Sequence, residues 1–134
     1  MNRARYNYAI KLGMMIAVIF EAIPAPGKRD EYLDLAAQLK PELSKIEGFI
    51  SIERFQSLAD PAKLLSLSFW ESEESVRRWR NLETHRAAQR QGRCCVFRDY
   101  RLRVATVARD YGLDDRAGAP ADSVDFHEKK RRKK

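Results

Sequence analysis

Residues 64–79, LLSLSFWESEESVRRW, contain a strand followed directly by a helix. The apolar stretch Leu64–Glu71 is typical of a strand. Ser72 then provides a helix N-cap, and two glutamates follow it in the first turn, where the helix dipole favours negative charge. Val76 and Trp79 come next at helical spacing and mark a buried stripe. This unit predicts a helix that packs back onto the sheet containing its own strand.

The sequence around this unit supplies two further strands and one helix before it and one strand after it. The predicted elements are a strand at Met15–Ile23, a helix over residues 32–46, a strand at Phe49–Leu58, the strand at Leu64–Glu71, a helix from Ser72 that bends at Thr84 and ends at Gly92, and a strand at Val96–Val107. The β-α-β-β-α-β order is the split βαβ, ferredoxin-like arrangement. We therefore predict an α+β fold with an antiparallel sheet.

The chain divides into three parts. Residues 1–13 form an N-terminal extension that we expect to be flexible, and residues 14–112 form the ferredoxin-like domain. Residues 113–134 lose the periodic pattern and predict a disordered, basic C-terminal tail. Because the strand pattern begins directly at the Met14–Met15 pair, either methionine is a candidate for the natural first residue.

The net charge of +7 comes from the two ends of the chain. Lys129–Lys134 is an unbroken basic run, and Arg3, Arg5 and Lys11 lie in the N-terminal extension. The remaining residues are slightly acidic overall. A surface that binds single-stranded nucleic acid needs aromatic side chains among its basic residues, and the basic run contains none. We expect no specific nucleic-acid partner, while the tail could contact anionic surfaces.

Several kinds of site are excluded by missing motifs. The apolar run Met14–Phe20 is too short to span a membrane, so we expect no membrane span. The sequence contains no glycine-rich nucleotide fingerprint and no G-x-S-x-G elbow. Cys94 and Cys95 are adjacent, which disfavours a bond between them and matches no metal-ligand spacing. We therefore expect a cytoplasmic protein with no metal and no cofactor.

Four side chains in the domain have chemistry that a binding site could use. Trp79 is either core or an aromatic wall for a flat substrate, and the two roles are compatible. His85 has a pKa near neutrality and follows the bend at Thr84, so its ring can face a cleft between helix and sheet. Glu21 interrupts an apolar strand and needs a partner or a raised pKa. Arg101 lies on the polar face of the last strand, where it could hold an anionic substrate.

Four segments, in order, resemble the antibiotic biosynthesis monooxygenase family. They are MIAVIFEAIP, GFISIERFQS, KLLSLSFWESEESVRRWRNLETHRAAQRQGR and FRDYRLRVATVARDYG, which together extend from Met15 to Gly112. The resemblance implies a dimeric α+β barrel, in which the sheets of two subunits face each other. It also implies oxygenation of phenols or quinols by dioxygen without metal or flavin, since such substrates supply the electrons themselves.

One branch of this family degrades haem, using a strand asparagine, a tryptophan and a histidine ten residues after that tryptophan. Trp79 matches the tryptophan, but Gln89 stands at the histidine position and Glu21 at the asparagine position. In the polyketide-oxidising branch, the sixth position after the tryptophan carries a polar aromatic side chain, and here that residue is His85. The resemblance therefore favours the second branch.

These observations predict a cofactor-independent monooxygenase that acts on an aromatic quinol, anthrone or other phenol as a homodimer. His85 and Trp79 are the expected catalytic residues. The expected substrate-binding residues are Glu21, Trp70, Gln89 and Arg101. Two alternatives stay open: a non-catalytic dimeric barrel that binds a hydrophobic metabolite, and a haem-degrading monooxygenase.

Overall fold

The computed structural model describes residues 13–132, apart from the side chains of residues 83–85, 92–93 and 130–132. Residues 1–12, most of the predicted N-terminal extension, lie outside this range. The elements are β1 (Ile16–Pro24), α1 (Arg29–Leu43), β2 (Phe49–Gln56), β3 (Leu64–Trp70), α2 (Glu73–Arg80), α3 (Glu83–Gln91), a π-helical turn (Gly92–Val96), β4 (Phe97–Thr106) and α4 (Ala121–Arg132). Within the predicted domain their order confirms the α+β, ferredoxin-like fold.

The four strands form one antiparallel sheet in the order β2-β3-β1-β4. Ile16, Val18 and Phe20 of β1 pack into the two hydrophobic clusters beneath α1 and α2. We call this side of the sheet the helix face. Ala17 and Ile19 point to the opposite side, because side chains alternate along a strand. We call that side the open face, since α1 and α2 pack on the other side.

The N-terminus of α2 is fixed by the residues predicted to start it. Ser72 is the N-cap, and its hydroxyl accepts the backbone N–H of Ser75 at 3.3 Å. Gly48, which precedes β2, has a φ of +91° and accepts a hydrogen bond from the N–H of Glu71 at 2.8 Å. A Cβ on Gly48 would overlap the hydroxyl of Ser75, so only glycine allows this close approach.

Two expectations outside the sheet are corrected by the structure. The predicted disordered tail contains α4, which has Asp122 in its first turn and basic residues at its end, the charge order that the helix dipole favours. The sequence disfavours a bond between Cys94 and Cys95, whereas the structure places their two sulfur atoms in contact within the π-helical turn. Within residues 13–132, no helix is both long and apolar enough to cross a bilayer.

Candidate active site

A cleft on the helix face separates α2 from β4. Tyr100, Leu102 and Val104 of β4 are 42%, 51% and 44% exposed, respectively. Leu102 and Val104 pair with Phe20 and Val18 of β1, so their side chains point to the helix face. β4 is an edge strand, and this apolar row is only half covered. We call the space above it the α2–β4 cleft.

Helix α2 forms the opposite wall of the cleft. It buries Val76 and half-buries Trp79 against the hydrophobic core. A cavity of about 410 Å³ lies between this helix and Val104, a volume within the range of about 300–1,000 Å³ typical of small-molecule pockets. The cavity is lined by Glu73, Glu74, Val76, Arg77, Arg80 and Val104.

The floor of the cleft continues into a cluster of aromatic rings. The ring of Tyr100 lies 5.6 Å from that of Phe20 and 5.8 Å from that of Phe97, between centroids. Phe97 also contacts Tyr32 of α1 at 5.4 Å, edge to face. Such pairs are rigid and apolar, and therefore suit the binding of a flat hydrophobic ring.

The charges at the cavity are unevenly paired. Glu74 accepts a hydrogen bond from Arg77 at 2.9 Å and lies 3.9 Å from Arg78. The hydrogen bond from Arg77 holds the pKa of Glu74 below its ordinary value. Among the described residues, Arg80 forms no ion pair with a carboxylate. The cavity thus contains one guanidinium that is neutralised and one that is not.

Helix α3 follows α2 along the chain and is connected to it by side-chain hydrogen bonds. Asn81 joins the two helices, because its side-chain N–H donates to the carbonyl of Arg77 at 2.9 Å and its oxygen accepts from Arg86. At the far end, Gln91 donates to Glu31 of α1 at 3.0 Å. His85 lies in the first turns of α3, but its side chain lies outside the described residues.

The two tryptophans have different environments. Trp70 is 1% exposed, and its indole N–H donates to the hydroxyl of Ser68 at 2.9 Å. Its ring centroid lies 6.5 Å from that of Trp79, which is only half-buried. Trp70 therefore belongs to the core beneath the helices rather than to the wall of the cleft. Gln89, on α3, is exposed.

Glu21 and Arg101 do not join the residues of the cleft. They face each other across the β1–β4 ladder, one position away from Phe20 and Leu102, and so lie on the open face. Glu21 forms ion pairs there with Lys63 at 3.1 Å and Arg103 at 3.5 Å. The sheet therefore separates Glu21 and Arg101 from Trp79.

The pKa of Glu21 is lowered, chiefly by the hydrogen bond from Lys63. A carboxylate whose pKa is lowered on folding stabilises the fold above its ordinary, unfolded-state pKa of about 4.3, and this stability is lost as the pH falls through the lower folded-state value. When the pH falls from 7 to about 3, we expect the free energy of unfolding to decrease less in Glu21→Gln than in the wild type, because the variant lacks this carboxylate. Urea unfolding at both pH values measures this difference.

The control for this prediction is Glu53→Gln, which removes an exposed carboxylate from β2. This variant should retain the acid sensitivity of the wild type. An equal loss of stability in Glu21→Gln and the wild type would contradict the role of the Glu21 ion pairs.

The alternation of the β4 sequence shows an apolar row at Tyr100, Leu102 and Val104 and arginines on the other face. Alternation alone does not show that the apolar row, rather than the arginines, borders the cleft. Arg80 gave no signal, because it is one of several arginines on an exposed helix. Among the described side chains, no three His, Cys, Asp or Glu residues come together to hold a metal ion.

A family model described as antibiotic biosynthesis monooxygenase matches residues 15–91. The chain is 52% identical over 93 residues to the jasmonate monooxygenase ABM of Pyricularia oryzae, an alignment that covers 69% of this chain and 43% of that protein. The chain thus spans less than half the length of this relative.

Two solved structures share the fold. A conserved protein from Methanosarcina mazei aligns with a TM-score of 0.66 at 22% identity, over 75% of this chain and 97% of that one. SnoaB, a cofactor-independent oxygenase from Streptomyces nogalater, aligns with a TM-score of 0.63 at 10% identity, over 72% of this chain and 95% of that one. At these identities, the likeness shows the fold alone.

Proposed function

Because the chain belongs to the antibiotic biosynthesis monooxygenase family, we propose that it is a monooxygenase that oxidises a small ring-containing substrate with dioxygen in the α2–β4 cleft. The observation that carries the proposal is the half-covered apolar row of β4, whose Val104 lines a cavity of about 410 Å³. Such a cavity can bind one small molecule and remove much of its surface from water.

The first substrate class is an aromatic quinol, anthrone or other phenol. Oxidation of an anthrone methylene to a carbonyl consumes one dioxygen and releases one water, so the substrate supplies all the electrons. The protein then has to bind the ring, remove a proton and exclude water from the resulting anion. Trp79 and the aromatic cluster at Tyr100 would bind the ring, and His85 would accept the proton.

The similarity to the jasmonate monooxygenase supports a second substrate class, small cyclic ketones of the jasmonate type. These compounds also fit an apolar cleft of this size. They are poorer electron donors than a quinol, so their oxygenation would need an external reductant.

Oxygen uptake by the purified protein tests the proposal. The panel contains quinols, anthrones, jasmonate with a reductant, and haem with a reductant, each with a blank that lacks protein. We expect uptake with one ring-containing class, and a kcat/KM about tenfold lower in Trp79→Ala, since a lost aromatic contact costs up to about 1.5 kcal/mol.

The control variant is Leu58→Ala, which removes a fully exposed side chain between β2 and β3, at the other edge of the sheet from β4, and should leave uptake unchanged. Uptake with haem alone would favour the haem-degrading alternative. Binding without uptake across the whole panel would favour the non-catalytic barrel.

We also propose that a second copy of the chain covers the open face. This face presents Ile19, Leu65, Leu67 and Phe69 in neighbouring strands, and all four are only half-buried. Such an apolar sheet face is normally covered in a stable protein. A cytoplasmic location remains a prediction from the sequence.

A further inference from the structure

The cavity in the α2–β4 cleft combines two apolar side chains with a guanidinium that pairs with none of the described carboxylates. Val76 and Val104 are the apolar part of its lining, and Arg80 lines it from the C-terminal end of α2. An ordinary hydrophobic pocket needs no arginine at its edge. A guanidinium beside apolar surface instead matches a ligand that has both a hydrophobic body and a negative group.

The other charges of the cavity leave Arg80 as the group available to an anion. Arg77 is already neutralised by Glu74, at 2.9 Å. Glu73 also lines the cavity, but it lies seven residues before Arg80, which is about 10 Å along the helix at 1.5 Å per residue. An anionic group would therefore bind at the Arg80 end of the cavity, away from Glu73.

We propose that Arg80 is a specificity-determining residue that selects ring-containing carboxylates, with the ring on the apolar floor and the carboxylate paired to the guanidinium. Guanidinium and carboxylate form two parallel hydrogen bonds, which adds orientation as well as affinity. This inference rests on the proposed function in one respect only, that the α2–β4 cleft is the substrate site.

The test compares a carboxylate with its neutral ester, which has the same ring. The probes are 1-naphthaleneacetate and its methyl ester, and calorimetry measures the Kd of each. We expect the wild type to bind the acid about fivefold more tightly than the ester, as an exposed ion pair allows. Arg80→Gln should bind both probes equally, with an unchanged Kd for the ester.

Two further variants make the test specific. Arg78→Gln removes a neighbouring arginine that does not line the cavity, and it should retain the preference of the wild type for the acid. Glu74→Gln releases Arg77 from its ion pair, and it should bind the acid more tightly than the wild type does. Equal loss of preference in Arg78→Gln and Arg80→Gln would reduce the effect to general positive charge and overturn the proposal.

Binding and turnover separate this inference from the proposed function. Preference for the acid without oxygen uptake on any substrate would leave the role of Arg80 intact and count against the monooxygenase. Oxygen uptake on neutral ring compounds by a protein that binds acid and ester equally, or binds neither probe, would overturn the role of Arg80 alone.

Discussion

Trp70→Ala is expected to lower the free energy of unfolding by about 3–5 kcal/mol, the usual cost of truncating a buried tryptophan to alanine. Trp70 is 1% exposed and contacts the ring of Phe49 at 5.2 Å between centroids. The truncation leaves a cavity between α2 and the sheet and leaves the hydroxyl of Ser68 without its indole donor. Urea unfolding monitored by circular dichroism measures the change.

The matched control is Trp79→Ala, which removes the same side chain from a half-buried position on α2. This variant should lose clearly less stability than Trp70→Ala, while its effect on kcat/KM should be the larger of the two among folded molecules. Equal destabilisation by the two variants would contradict the difference in burial between Trp70, in the core, and Trp79, half-buried on α2.

His85→Gln is expected to lower kcat about 100-fold at saturating substrate, because general-base catalysis contributes about 10²–10⁴-fold. The expectation rests on the pKa of histidine and on the place of His85 in α3, which follows the wall-forming α2 along the chain. Glutamine retains hydrogen bonding but cannot accept the proton. Oxygen uptake with the substrate identified from the panel gives kcat and KM separately.

Arg90→Gln is the control, because it alters an exposed residue of the same helix. It should leave kcat unchanged. A wild-type kcat in His85→Gln would remove His85 from the mechanism and leave binding and water exclusion by the cleft as the contribution of the protein.

The order of strands and helices was predictable because apolar residues recur clearly, at every second residue in the strands and at every third or fourth residue in the helices. The sequence predicts a break between the two helices at Thr84, but the structure places it at Asn81, the C-cap of α2, and α3 begins at Glu83. Asparagine and threonine both favour caps over helix interiors, so the sequence indicates a break without fixing its residue. The N-cap at Ser72 was predictable for the same reason. These signals are local, so they do not depend on how the elements pack.

The assignment of side chains to the two faces of the sheet was not predictable. β1 is apolar at both odd and even positions, so its alternation does not reveal which side the helices cover. Glu21 therefore appeared to be a candidate for the cleft, although the register places it on the open face. For the same reason the sequence shows the apolar row of β4 but not which side of the sheet it lies on, and the register places it on the helix face.

The open face has a consequence for how much of the protein is folded at a given moment. If two copies share this face, as we propose, each chain supplies part of the other's hydrophobic interior. The folded population then follows mass action, so dilution alone favours unfolding and higher expression protects the fold. Joining two such domains in one polypeptide would replace this dependence with a fixed local concentration set by the linker.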